Sequence, residues 1–510
     1  MRALVSVYDK TGLEAFARGL VSLGVELVAS GGTAKALSAA GIEHLEVEQV
    51  TGAPEMLSGR VKTLHPRIHG GILADLDNPA HVSELAAHGI SPIGLVISNL
   101  YPFMAEPSVE TIDIGGPTMV RAAAKNFAHV AVVVDPAEYG AVLDELRREG
   151  ELSAPTRARL ARAAFAHVAA YDAAIVTWFD RAVMAPAGEL PPTIHLALER
   201  CESLRYGENP HQHGARYETC GVAPGWWDSA AKLGGRELSY LNLFDADTAW
   251  RLCHEVAGLP SAVGRAAAVI VKHANPCGVA TAATIEEAYR LAFEADPVSA
   301  FGGIVALSRP VGQALGEAIV SNVLADVLIA PGYAPEAVEA FLTTRKNMRV
   351  LEAVPPGPLG VSLRQIDGGF LVQDPDLVAL ARQPWRVVTE NQVAESEWPD
   401  VELAWLAVAR TTSNAVVLAQ GGVVVGIGCG QQNRVDSAGI AARKAGERAL
   451  GAVAASDAFF PFRDGLDALA HAGVRVVVQP GGSLRDDEVI EAANERGIAM
   501  VLTGERHFRH

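Results

Sequence analysis

The sequence predicts an α/β protein of at least two domains. Three observations carry this. Short apolar, often β-branched runs alternate with longer amphipathic runs from the first residues onward, the pattern of strands and helices in turn. Glycine-rich polar stretches fall directly after several apolar runs, where open α/β sheets keep their chemistry. A length of 510 residues exceeds what a single hydrophobic core fills.

Composition narrows the function classes. Hydrophobic residues make up 49% and charged residues 20%, a soluble globular balance. A net charge of −17 argues against sequence-independent binding to nucleic acid or to anionic membranes, and leaves room for a local basic pocket that takes a small anion. Cys201, Cys220, Cys253, Cys277 and Cys429 form no CxxC, so neither a disulfide framework nor a zinc ribbon is implied. The N-terminus already reads as a strand, and no apolar run is long enough for a bilayer. The expected location is the cytoplasm, with no leader peptide.

Residues 3–7 read as a strand, 11–23 as a helix and 25–29 as a second strand. Ser30-Gly31-Gly32-Thr33 and a helix over 34–40 come next. A strand, a Gly-Gly turn between hydroxyls and a helix N-terminus make an anion cradle, although an ordinary βα turn has the same outline. Residues 51–73 read as a basic loop holding Arg60, Lys62 and Thr63. A strand over 94–98 ends in Asn99-Leu100-Tyr101-Pro102. Asp113-Ile114-Gly115-Gly116-Pro117 opens a helix that carries Arg121 and Lys125 near its end, the end a helix dipole favours for cations. A strand over 130–134 and a long helix over 155–183 follow. The Pro/Gly-rich stretch 185–192 reads as the linker, with the boundary near 193.

The second region opens on Arg205-Tyr206-Gly207-Glu208-Asn209-Pro210-His211-Gln212, dense in polar and turn residues. Its centre is Val269-Ile270-Val271-Lys272-His273-Ala274-Asn275-Pro276-Cys277-Gly278. Three β-branched residues predict a buried strand that ends in Lys272-His273 and is broken by Pro276 and Gly278. A Lys beside a His at a strand end suits a cation for developing negative charge next to a proton acceptor, and equally a strand fraying into a polar turn. Two zinc patterns fail. Pro276-Cys277 lacks the Glu and the second Cys of a deaminase site. His65 and His69 have ligand spacing, but the glutamate is missing and Pro66 argues against a helix. A faint internal echo links the first half of this region to a second. Trp405–Ala409 leads to Asn414, 423–427 leads to a Gly-rich turn, and Ser456-Asp457-Ala458-Phe459 resembles Asp296-Pro297-Val298-Ser299-Ala300-Phe301.

Taken together, these stretches resemble one family, the bifunctional enzymes that join AICAR formyltransferase to IMP cyclohydrolase. The matching segments are 6–12, 29–34, 59–66, 99–103, 113–119, 205–212, 272–278, 296–303 and 456–462, and they run in the family's order over nearly the whole chain. The resemblance implies an N-terminal methylglyoxal synthase-like domain, 1–192, and a C-terminal domain, 193–510, of two cytidine deaminase-like halves without zinc. It implies formyl transfer from 10-formyltetrahydrofolate, a co-substrate and not a tightly bound cofactor, to AICAR, and dehydrative closure of the product FAICAR to IMP. It also implies a homodimer with formyltransferase sites at the interface, and no metal. Two departures stand out: Tyr8 occupies a position where the family carries a small Ser, and the segment 104–112 is short.

Residue by residue, the resemblance places Lys272, His273 and Asn414 in formyl transfer, and Lys62, Tyr101, Asp113 and Lys125 in cyclisation. Ser6, Lys10, Ser30, Gly31, Gly32, Thr33, Arg60, Thr63, Ser98, Asn99, Ile114 and Gly115 are implied to bind the nucleotide of the first domain. Arg205, Tyr206, Phe301, Gly302, Asp326, Arg506 and Phe508 are implied to bind AICAR. Arg434, Phe459, Phe462, Asp464 and Ser483 are implied to bind folate, with core packing an equal account of Phe459. Two other readings remain at this point: a nucleotide-binding module without chemistry, and a chain with only one active domain.

Overall fold

A computed structural model describes all residues except 58–59, 185–188, 223 and 323–324. Gly59 of the basic loop and the first four linker residues therefore lie outside the described residues. The chain divides into two compact units, Met1–Cys201 with Tyr217–Val222, and Glu202–Arg216 with Ala223–His510.

The first unit is built on a wholly parallel sheet of β1 (Arg2–Val5), β2 (Glu26–Ala29), β3 (Leu45–Glu46), β4 (Leu95–Ile97) and β5 (Ala131–Val133), in the order β3-β2-β1-β4-β5. Its helices include α1 (Leu13–Ser22), α2 (Gly31–Ala39), α3 (Gly115–Lys125) and α4 (Ala154–Trp178). Ala3 and Val5 of β1 pack in one core and Leu4 in the other, so the strand is apolar on both faces, as a covered parallel sheet requires. The structure corrects two local expectations. Helix α2 starts at Gly31, so Gly31-Gly32-Thr33 is its first turn and Ser30 its cap. Pro66 begins a helix, Pro66–Leu73, capped by His65 through a bond from the Arg67 N–H to Nδ1 (3.1 Å). Proline suits that first position, where its missing N–H is no loss.

The second unit holds one 12-stranded sheet made of two halves with the same plan. The first half runs β6 (Ala231–Gly234), α5 (Tyr240–Ala257), β7 (Ala266–Lys272), β8 (Asn275–Ala282), α6 (Ile285–Ala295), β9 (Ile304–Leu307), α7 (Gln313–Ser321), β10 (Val327–Ala330), α8 (Pro335–Thr344) and β11 (Arg349–Glu352). The second runs β12 (Arg386–Val387), α9 (Trp398–Ala409), β13 (Val416–Gln420), β14 (Val423–Gly428), α10 (Arg434–Ala445), β15 (Val453–Ser456), α11 (Asp464–His471), β16 (Val476–Gln479), α12 (Asp486–Glu495) and β17 (Ala499–Leu502). The order is β12-β17-β16-β15-β13-β14-β8-β7-β9-β10-β11-β6. In each half an antiparallel hairpin is followed by three mutually parallel strands, and the halves join where β8 meets β14 antiparallel. Along β7, Ala266, Ala268 and Ile270 enter one core while Ala267, Val269 and Val271 enter the other.

The two halves share one topology, but the paired runs of the sequence echo do not occupy equivalent places in it. Residues 296–301 precede β9, whereas 456–462 follow β15, so these two runs are not equivalents. Trp405–Ala409 is the end of α9. Pro276 and Gly278 lie inside β8, at a bulge, and break no strand. Among the described residues no helix is long and apolar enough to cross a membrane.

Candidate active sites

In the first unit the predicted residues gather beyond the C-terminal ends of β1, β2 and β4. Ser6 extends β1 by donating its N–H to Ile97 O (2.9 Å). Thr33 Oγ1 accepts the Val7 N–H (3.0 Å) and donates to Val7 O (3.1 Å), tying the first turn of α2 to the β1 exit. Asn99 Oδ1 accepts the N–H groups of Tyr8 (2.7 Å) and Asp9 (2.9 Å), and Nδ2 donates to Asp9 O. These bonds place Lys10 close to Gly32, where an added Cβ would lie 3.8 Å from Lys10 Nζ. A Cβ on Gly31 would lie 3.1 Å from Lys62 Nζ. Two ammonium groups therefore face a helix N-terminus whose Ser30 cap makes no side-chain bond, a site suited to a phosphate. Lys62 is meanwhile paired with Glu55 (2.8 Å).

The start of α3 completes this site. Thr63 Oγ1 would lie 3.0 Å from a Cβ on Gly115, and Ile114, the cap residue, is exposed. Asp113 Oδ1 accepts the Gly116 N–H (2.9 Å), and the Asp113 N–H donates to Tyr171 Oη (2.8 Å). Burial pushes the Asp113 carboxyl above its ordinary value, against the backbone N–H groups of Gly116 and Gly115. The Tyr101 ring tilts against that of Tyr8, 5.2 Å between centroids, so the unusual Tyr8 packs beside a predicted catalytic group. Ser98 Oγ is buried and without a partner. Arg60 pairs with Glu110 of the short segment (2.6 Å) at the surface. Lys125 is not brought to Asp113: it ends α3, about 15 Å along the axis from Gly115 at 1.5 Å per residue.

In the second unit, strand register collects the predicted residues at one edge of the sheet. The C-terminal end of β7, the N-terminal ends of β9 and β10, and the C-terminal ends of β15, β16 and β17 all lie on that edge. Lys272 ends β7 and its Nζ donates to Phe301 O (2.8 Å). His273 and Ala274 form a two-residue hairpin turn, with φ of 53° and 57°, and the His273 side chain is exposed at its tip. Asp245 of α5 accepts the N–H groups of His273 (3.0 Å) and Ala274 (2.8 Å). Asn275 joins the halves: its Oδ1 accepts the N–H (2.8 Å) and hydroxyl (2.9 Å) of Thr412, beside Asn414. Arg205 lies over the Tyr206 ring at 4.8 Å. Burial lowers the pKa of Arg349, Asp326 opposes that, and Arg236 and Arg205 add to it, so three cations and Asp326 share this end of the sheet. Phe301 is exposed and Gly302 takes a left-handed turn.

The C-terminal tail is an ordered part of this edge. His507 is buried against Trp405, with Nδ1 on Asp376 (2.8 Å) and its N–H on Asp457 O (3.0 Å). Arg509 Nη1 donates to Ala274 O (3.0 Å) and Arg410 O (2.6 Å). Phe508, between these anchors, is exposed, and Arg506 lies over its ring at 4.4 Å.

The residues predicted for folate split into two groups. Phe462 is exposed under the Arg485 guanidinium (4.8 Å), Asp464 opens α11 at the surface, and Ser483 Oγ accepts the Arg485 N–H (3.1 Å). Phe459 is half-buried. Arg434, by contrast, is buried: it bonds Ser456 Oγ (2.8 Å), Asn414 Oδ1 (2.7 Å) and the Asp457 carboxylate. Its Nη1 and Nη2 donors hold Asn414 and the sheet edge together. Sequence reasoning missed Asp245, Asp457 and Arg509. The polar density of 242–247 and of the tail pointed to Asp245 and Arg509, and Asp457 sits within the matching segment 456–462.

Residues 123–444 match the model of the AICARFT/IMPCHase bienzyme, and 12–121 match the MGS-like domain. The bifunctional purine biosynthesis protein PurH of Neisseria meningitidis serogroup A is 48% identical over 100% of this chain and 99% of its own. Those of Cereibacter sphaeroides and Cyanothece sp. are each 49% identical, again over the whole chain and 98% and 99% of their own. The crystal structure of ForH is 40% identical over 35% of this chain and 98% of its own, with a TM-score of 0.33. With the motifs in order, both family models matched and full-length relatives near one-half identity, the chain belongs to the AICAR formyltransferase/IMP cyclohydrolase bienzyme family.

Proposed function

We propose that residues 193–510 transfer the formyl group of 10-formyltetrahydrofolate to AICAR, and that residues 1–192 close FAICAR to IMP with loss of water. The reading is carried by the hairpin tip that presents His273 beside Lys272 at the ligand edge of the sheet. The AICAR amine is a weak nucleophile, because its lone pair is delocalised into the ring. His273 takes its proton as it attacks, and donors at the site hold the tetrahedral oxyanion. Lys272, Arg205, Tyr206, Phe301, Gly302, Asp326, Arg506 and Phe508 hold AICAR. Asn414 faces the reacting carbonyl or carboxamide from a position locked by Arg434. Phe459, Phe462, Asp464 and Ser483 form the folate lip.

Cyclisation needs mostly orientation, because FAICAR carries both reacting groups. Ser6, Lys10, Ser30, Gly31, Gly32, Thr33, Arg60, Thr63, Ser98, Asn99, Ile114 and Gly115 hold its phosphate and ribose. Lys62 stabilises the oxyanion, and Asp113 moves the proton with Tyr101. Lys125, at the far end of α3, has no step in this scheme.

The proposed assembly is a homodimer with formyltransferase sites at the interface. The folate lip lies beyond the end of β15, on the same edge of the sheet as His273. The proposed setting is the cytoplasm, with folate as a consumed co-substrate. In the test, His273→Ala is expected to lose formyl transfer by about 10²–10⁴-fold while supplied FAICAR still cyclises. Near-normal transfer with AICAR saturating refutes the assignment.

A further inference from the structure

The turn that carries His273 is an expensive one. Two-residue hairpin turns with positive φ at both positions favour Asn-Gly or Gly-Gly, because a Cβ is disfavoured in the left-handed region. Here the two residues are His273 (φ 53°) and Ala274 (φ 57°). Every backbone polar group of the pair is engaged. Asp245 accepts both N–H groups, Asn275 Nδ2 donates to His273 O (3.1 Å), and Arg509 donates to Ala274 O. Asp245 itself is buried within α5.

The second half of the sheet supplies an internal comparison. Its equivalent hairpin, between β13 and β14, turns on Gly421 (φ 63°) and Gly422 (φ 80°). Asp400 of α9, the helix equivalent to α5, accepts both N–H groups, at 2.8 and 2.7 Å. The carboxylate clamp is thus built into each half. In the second half it holds glycines, which adopt this conformation freely. In the first it holds two residues that resist it, and one of them is the exposed imidazole. Backbone strain over-determined by its surroundings is characteristic of functional sites.

We infer that Asp245 is the positioning residue of formyl transfer: its carboxylate fixes the left-handed turn and thereby aims the His273 imidazole at the AICAR amine. The inference rests on the assignment of proton transfer to His273. Asp245→Asn keeps one acceptor but turns an N–H toward the other amide, so the turn relaxes while the substrate-binding residues stay in place.

The test is steady-state formyl transfer by the full-length chain with AICAR and 10-formyltetrahydrofolate. Asp245→Asn is expected to lower kcat about 100-fold, the scale of an ångström-sized misplacement, with the AICAR KM within about threefold. Adding Ala274→Gly, which removes one left-handed penalty, is expected to restore about tenfold. Asp400→Asn, the same change under the Gly-Gly turn, is expected to leave kcat and KM at their wild-type values. If Asp245→Asn does not fold, Asp245→Glu carries the same comparison, since it keeps the charge and shifts it by one methylene. Wild-type kcat in the Asp245 variant, an equal loss in Asp400→Asn, or no recovery with Ala274→Gly overturns the inference. Near-normal transfer by His273→Ala would instead remove the assignment beneath it, so the two failures are distinguishable.

Discussion

Replacing Arg509 with methionine measures how much of the formyltransferase edge depends on the tail. Methionine keeps the length and apolar stem of the side chain and deletes both donors. Two carbonyls then lose their partner, Ala274 O in the His273 turn and Arg410 O at the end of α9. Leaving a buried acceptor unsatisfied costs about 1–3 kcal/mol, so the pair costs about 2–6 kcal/mol. Part of this is returned. Burial and the neighbouring Arg410 already depress the Arg509 pKa, which marks a charge held at a cost, and its removal relieves that cost. The expected net loss is about 2–4 kcal/mol, with a fall in formyl-transfer kcat even where the variant is fully folded. Equilibrium urea unfolding reads the first quantity, and steady-state assays well below the midpoint read the second. A variant within about 0.5 kcal/mol of wild type and of unchanged kcat would show that the tail is not an anchor.

Two further outcomes follow from the geometry. A Cβ on Gly278 would sit 2.1 Å from Ala292 O of α6, a backbone atom. Gly278→Ala must therefore push the helix back by more than about 1 Å to reach an ordinary C···O contact, and a loss of about 3 kcal/mol or more is expected in urea unfolding; an unchanged midpoint would mean that α6 is not seated on β8. For Asp113, burial raises the folded pKa above the ordinary 3.8, so the native state keeps a proton that the unfolded chain has lost. Its stability then falls as pH rises through the window above 3.8 and stays lowered beyond it. Asp113→Asn keeps an acceptor for the Gly116 N–H, so it is expected to match or exceed wild type in urea midpoint at pH 7, to lose that advantage below pH 3.8, and to lose FAICAR cyclisation. A variant less stable than wild type at pH 7 would contradict this.

Alternation of strands and helices, the motif residues and the doubling of the second region were legible in the sequence, because burial on both sheet faces writes continuous apolar runs such as 267–271. Helix starts were not. Gly31-Gly32 and Pro66 look like breakers, yet the first turn of a helix has no N–H bonds to lose, so these residues fit there. The His273 turn was illegible for a different reason. His-Ala carries no turn signal, and the carboxylate that makes the turn possible lies 28 residues away. For Arg434 the sequence carries no sign that Asp457, 23 residues on, takes up its guanidinium.

The antiparallel seam between β8 and β14 has a thermodynamic meaning. Taken alone, either half would end in an open, largely apolar hairpin strand, with unpaired backbone groups along its rim. Such a rim invites pairing with whatever strand it meets. In this chain each half is the other's cover, while the outer limits of the sheet are closed by the short strands β6 and β12. The seam therefore makes the two halves one continuous 12-stranded sheet, and covers on each side the strand most open to wrong pairing.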